Sequence, residues 1–144
     1  MIPWKYKGKI VDSPPEESYG FLYCITTDNG FKYFGKKILS FTKRKLLSAK
    51  RKKELNTRKK YEYVSSDSGW LTYCGSCIPL KQYIAQNGED CVVKREIIAF
   101  AYSKMDLTFG ELCLLIKERV LFRDDVWNRN VASKFFKEKI KEVI

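Results

Sequence analysis

The densest apolar pattern in the chain lies between Tyr19 and Lys37 (Tyr-Gly-Phe-Leu-Tyr-Cys-Ile-Thr-Thr-Asp-Asn-Gly-Phe-Lys-Tyr-Phe-Gly-Lys-Lys). Phe21 to Thr26 is a run of aromatic and β-branched side chains, and Phe31 to Phe34 resumes it. Asp28-Asn29-Gly30 between them tolerates positive φ, so the stretch predicts a β-hairpin. Side chains alternate faces along a strand, so loop length decides where Tyr23 and Tyr33 point. A three-residue loop sets Ile25 opposite Tyr33, with Tyr23 as its diagonal neighbour on the same face. A two-residue Asn-Gly turn would put the two tyrosines on opposite faces.

The remaining pattern predicts fewer elements. Pro14-Pro15 forbids helix before the hairpin. Lys43 to Lys60 is almost wholly polar, a basic insertion expected as a solvated helix face or a loop, and Tyr61 to Gly69 reads as loop. Trp70, Leu71 and Tyr73 are core candidates. Pro79 opens a helix over Leu80 to Gln86 that Asn87-Gly88 ends. Cys91 to Phe100, with two Val and two Ile, is a third strand, which a hairpin needs because it is marginal alone. Thr108 with Glu111 has capping-box spacing, placing Glu111 in the first turn of a helix carrying Leu112, Leu115, Ile116 and Val120. Asp124-Asp125 ends that region, and Ala132 to Ile144 reads as a basic amphipathic helix on Phe135, Phe136, Ile140 and Val143.

At 144 residues the chain is expected to be one domain over 1–144, burying about 68% of its unfolded surface. Charge changes the picture more. Lys and Arg number 28 against 17 Asp and Glu, a net +11 whose self-repulsion is usefully offset by a polyanion. Ten of those cations (Lys43, Arg44, Lys45, Lys50, Arg51, Lys52, Lys53, Arg58, Lys59 and Lys60) crowd between 43 and 60 beside a single acid, Glu54. If six or more met phosphates, affinity would fall roughly a thousandfold between 50 and 200 mM salt. An odd count of five cysteines does not suggest a disulfide framework. With no signal-peptide pattern and no run near the ~18 apolar residues of a membrane span, an intracellular setting is expected.

Several chemistries drop out. The chain has no histidine, which removes every mechanism with a histidine base or ligand. Cys74-x-x-Cys77 has zinc spacing but no second pair to complete four ligands. No Asp or Glu has Lys two positions on, as a restriction-type nuclease site needs, and no glycine-rich phosphate loop is present.

Phe21-Leu22-Tyr23, with Gly20 one position early, and Tyr33-Phe34-Gly35, followed by Lys36, together resemble the signature of the GIY-YIG nuclease family. Trp70 to Ser76 and Val120 to Asn128 also look like short homing-type members from large bacteriophages. The resemblance implies an α+β fold, a small three-stranded antiparallel sheet flanked by helices. It also implies metal-dependent hydrolysis of DNA phosphodiester bonds, inside a phage-infected bacterial host. Tyr23 and Tyr33 match the signature tyrosines, Lys36 a following lysine, and Glu111 the metal-binding glutamate, with Glu118 as runner-up. Arg44 matches the family arginine through a one-residue insertion, Lys43 holding the standard spacing. Asn128 matches a polar residue near the C-terminal edge.

The chemistry agrees with that assignment. Without histidine, Tyr23 is the base, which requires its pKa of about 10 to be lowered by Lys36 and a metal. Arg44 offers a bidentate fork to phosphate oxygens. One carboxylate, Glu111, suits Mg²⁺ (or Mn²⁺), which takes further ligands from water and substrate. Lys37, the basic run and Asn128 would contact nucleic acid, and weak sequence preference or a homo-oligomer would follow from so small a reading surface. Two other readings remain open at this level: a DNA-binding protein on the same fold without catalysis, and a basic RNA-binding protein.

Overall fold

The computed structural model describes all 144 residues, Met1 to Ile144. Its centre is a five-stranded sheet built from β1 (Lys5–Tyr6), β2 (Lys9–Ile10), β3 (Gly20–Thr27), β4 (Lys32–Ile38) and β7 (Val92–Ala101), in the order β2-β1-β7-β3-β4. The antiparallel trio β7-β3-β4 is the expected sheet. Two strands more than expected complete it: β1 lies parallel to β7 and pairs with β2. Each has only two residues, too few to show a period of two in the sequence.

β3 is the middle of the fold. Six of its eight residues are buried, as a continuous apolar run dictates when both faces are covered. Phe21, Tyr23 and Ile25 face one core with Trp4, Leu39, Trp70, Cys91, Val92 and Ile97. Cys24 faces the other with Phe34, Leu114, Leu115, Val120, Val126 and Val131. Trp4 fills the first core edge-on to Phe21 and Tyr23, and its indole N–H donates to the Trp70 carbonyl at 2.8 Å. Beside it Arg95, 2% exposed, has no carboxylate partner. Its guanidinium donates to the carbonyls of Ile2, Leu71 and Tyr73 and lies 4.6 Å from the Trp4 ring, tying the N-terminal segment to the Trp70 turn.

α2 (Ile78–Asn87) has Pro79 in its first turn and ends at Gly88, whose φ of +83° needs no Cβ. α3 (Lys104–Lys117) packs on the second face, but it starts a turn earlier than the Thr108 spacing predicts. Ser103 is the N-cap, its Oγ accepting from the Asp106 N–H at 3.0 Å, so Glu111 sits mid-helix. The basic run is neither one helix nor a loop. β5 (Ser40–Leu46) and β6 (Tyr61–Asp67) form a separate two-stranded ribbon with α1 (Ala49–Glu54) at its far end, so residues 61–67, expected as loop, are strand.

The expected C-terminal helix is absent. β8 (Asn130–Val131) and β9 (Phe135–Phe136) form a small hairpin whose turn puts Ala132 and Ser133 at φ of 55° and 52°. The Asn130 side chain accepts from the Ser133 N–H at 3.1 Å across that turn, and two successive left-handed residues cannot continue a right-handed helix. No helix is long and apolar enough to cross a membrane.

Candidate active site

β4 is the edge strand of the sheet, and its outward backbone groups are satisfied one after another. Lys32 donates to the Asp125 carbonyl at 3.0 Å and accepts from the Trp127 N–H at 2.7 Å. Two residues on, the Phe34 N–H donates to Asn128 Oδ1 at 3.0 Å and its carbonyl accepts from Nδ2 at 2.8 Å. At Lys36 the Glu111 carboxylate comes alongside the strand, its Oε1 3.8 Å from the Lys36 Nζ. Asn128, expected to touch nucleic acid, is thereby corrected. It is 5% exposed with both ends of its amide committed to Phe34, and it works as a one-residue substitute for a neighbouring strand.

The hairpin register is the three-residue-loop one. Ile25 pairs with Tyr33 and Tyr23 with Gly35, while Thr27 and Phe31 close the loop at 2.9 Å with Gly30 at φ +84°. Tyr23 and Tyr33 therefore share a face, with ring centroids 6.0 Å apart. Gly35 is required there: a Cβ would stand 2.6 Å from the Tyr23 hydroxyl, which leans across it.

The tyrosines differ in access. Tyr23 is 1% exposed, enclosed by Trp4, Phe21, Tyr33 and Tyr73. Burial pushes its pKa well above the ordinary value, and Tyr33, Tyr73 and Glu111 push the same way. The expectation that nearby cations lower it is thus reversed. Lys36, meant to supply that charge, lies on the other face of the strand, its Nζ 3.1 Å from Thr108 Oγ1 and 3.8 Å from Glu111. Tyr33 is half-buried, and its hydroxyl reaches Ser76 Oγ at 3.4 Å; burial raises its pKa too.

Tyr33 and Glu111 line one cleft of about 480 Å³ along the β4 edge, closed by Ser76, Cys77, Asn128 and Arg129. A second hollow across Glu111 is lined by Lys36, Thr108 and Phe109. Burial raises the Glu111 pKa against the pull of Lys36. Glu111 is the one carboxylate lining either hollow, and no three His, Cys, Asp or Glu side chains converge anywhere. That donor set does not fit an ion needing a protein cage. It does fit a hard cation that keeps waters and draws oxygens from a phosphate.

Arg44 is not among the cleft residues. The chain leaves the sheet at Leu39, and Arg44 sits on exposed β5 with its guanidinium 4.2 Å from the Tyr61 ring. The arginine in the cleft is Arg129, which no spacing marks except its place beside Asn128. Lys37 packs over Tyr73 at 4.2 Å and burial lowers its pKa. Lys43, Lys45, Lys50, Arg51, Lys52, Lys53, Arg58, Lys59 and Lys60 all lie on the ribbon or its tip.

Residues 4–140 match the family described as "Putative endonuclease segE, GIY-YIG domain", from the buried Trp4 to beyond the β8–β9 hairpin. Neither a curated protein nor a solved structure matches the chain.

Proposed function

The chain belongs to the GIY-YIG nuclease family, and from that premise we propose that it is a metal-dependent endonuclease hydrolysing DNA phosphodiester bonds at the β4 edge. The observation that carries this is the meeting of Tyr33 from β4 with Glu111 from α3 in one cleft, on a chain of net charge +11. Glu111 is the residue to hold Mg²⁺ or Mn²⁺, and the bound ion would supply positive charge to the phosphate oxygens. Lys36, 3.8 Å away, pulls against the burial that raises the Glu111 pKa.

Arg129 presents a planar fork that can take two non-bridging oxygens, the role the sequence assigned to Arg44. Tyr33, held as a protonated phenol, donates a hydrogen bond that fixes the phosphate or the attacking water. Tyr23 stands behind it as a positioning residue. These groups act where charge develops, the largest single source of catalysis in such sites.

Nicking of supercoiled plasmid in Mg²⁺ tests the reading. Glu111→Gln should lower the rate about 100-fold or more, the scale of losing a principal electrostatic group. With Mg²⁺ below saturation, wild-type activity should also fade on acidification above the usual carboxylate range, because burial raises the pKa of the metal-free Glu111 and protons then compete with the ion. Equal nicking by both proteins removes Glu111 from the reaction. Tight, salt-sensitive DNA binding without any nicking makes the chain a DNA-binding member that does not cut.

A further inference from the structure

We propose that the β5–α1–β6 arm is a grip for double-stranded DNA that enters the major groove next to the cleft. The proposal deepens the nuclease reading and rests on it only for where the bound duplex is cut.

The arm is built almost wholly as surface, with Leu47, just past the end of β5, its one buried side chain. β5 and β6 pair over seven residues, from Ser40 with Asp67 to Leu46 with Tyr61, and neither strand has a buried residue. Seven pairs span roughly 24 Å at the rise of an extended strand. A lone hairpin in water is marginal, so a ribbon exposed on both faces is suited to a partner. Charge says which. Of the ten cations between 43 and 60, Arg51 alone is ion-paired, to Glu54 at 3.4 Å and Glu62 at 3.6 Å. The others are free to replace counterions on a phosphate backbone.

Three features select duplex DNA among polyanions. A single strand would need successive aromatic platforms. Here Tyr61 is already covered by Arg44 at 4.2 Å and Lys60 at 5.6 Å, and Phe41 by Lys37 at 5.6 Å, leaving Tyr63, 74% exposed, as the one ring without a cation over it. A two-stranded ribbon fits the ~12 Å width of the B-form major groove. It does not fit the deep, narrow major groove of A-form RNA. The arm is also rooted on the strand that reaches the cleft: Leu39 alone separates β4 from β5, and Ser68 returns to Leu39 through a backbone hydrogen bond of 3.1 Å. A duplex held by the arm is thus placed by the same strand that carries Tyr33 and Lys36.

Binding by Glu111→Gln protein, which leaves the DNA uncut, tests this by fluorescence anisotropy against salt. Duplex DNA should bind more tightly than single-stranded DNA or duplex RNA. Lys50→Gln, Lys53→Gln and Lys59→Gln together should reduce the slope of log affinity against log salt by about 2–3. The corresponding Lys→Arg triple should keep it. Methyl green, a major-groove ligand, should compete with the unaltered arm, and distamycin, a minor-groove ligand, should not. An unchanged slope, equal single-strand binding, or competition by distamycin instead of methyl green each overturns the grip. Plasmid nicking by the wild type is read separately. A protein that nicks nothing but shows the predicted slope change sinks the nuclease reading and leaves the grip standing.

Discussion

Two antiparallel hairpins follow one another in this chain with only Leu39 between them, and each pairs seven residues. In β3–β4 the inner strand has six of eight residues buried, and the outer strand has its free edge closed by Lys32's backbone partners and by Asn128. In β5–β6 no residue is buried and neither strand has another neighbour. The lysines along β5 do what charge does on an exposed edge, discouraging pairing with a second chain. Identical backbone bonding therefore serves two ends. One hairpin holds the fold together and carries Tyr33 to the cleft, while the other keeps its side chains available.

The largest test of that difference is stability. Phe21→Ala, at a fully buried site in β3, should cost about 3–5 kcal/mol in urea denaturation. A loss below 1 kcal/mol would show that the first core is not where the fold is held. Next in size is Asn128→Ala, which strips the Phe34 N–H and carbonyl of their partners and makes the β4 edge resemble the open arm. A penalty of about 1–3 kcal/mol is expected, with amide exchange at Phe34 accelerated; unchanged exchange there would contradict the bracing role.

A third test uses pH. Below about pH 10 Tyr23 is protonated whether the chain is folded or not. Above it the unfolded chain releases the proton while the buried phenol keeps it, so the folded state binds more protons and stability falls as pH rises. The difference in phenolate absorbance between wild type and Tyr23→Phe should appear only as the protein unfolds. A Tyr23 signal near pH 10 in folded protein would place that ring in water. The smallest effect belongs to the arm: Tyr63→Ala should change stability by no more than about 0.5 kcal/mol in the same urea assay.

Where apolar side chains alternate or cluster, the sequence was legible. Phe21 to Thr26 with Asp28-Asn29-Gly30 marked the central hairpin but left its register to the loop length, which the structure resolves as three residues; Pro79 and Gly88 bounded α2, and Cys91 to Phe100 marked β7 to within a residue. The arm was opaque for the same reason it is exposed: strands with two solvated faces carry no inside-outside alternation, so Tyr61 to Asp67 looked like loop. Phe135, Phe136, Ile140 and Val143 mimic a helical stripe, but Ala132 and Ser133 turn the chain first. At the site, the motif pointed to Tyr33, Lys36 and Glu111, and Glu111 meets Tyr33 in one hollow and Lys36 in the other. Arg129 was not, because it reaches the cleft through the fold and through no spacing to the signature.

The foot of the arm has one more consequence. Leu39 and Ser68 are joined by a single backbone hydrogen bond, with the Ser68 hydroxyl also bound to the Ile38 carbonyl, so everything between them leaves and returns at one point. The free energy of closing such a loop rises only slowly with its length. Segments of other lengths and compositions can then be seated on the same foot while the sheet stays as it is. Were the arm the grip proposed above, exchanging residues 40–67 would change what is gripped while leaving the residues of the cleft untouched.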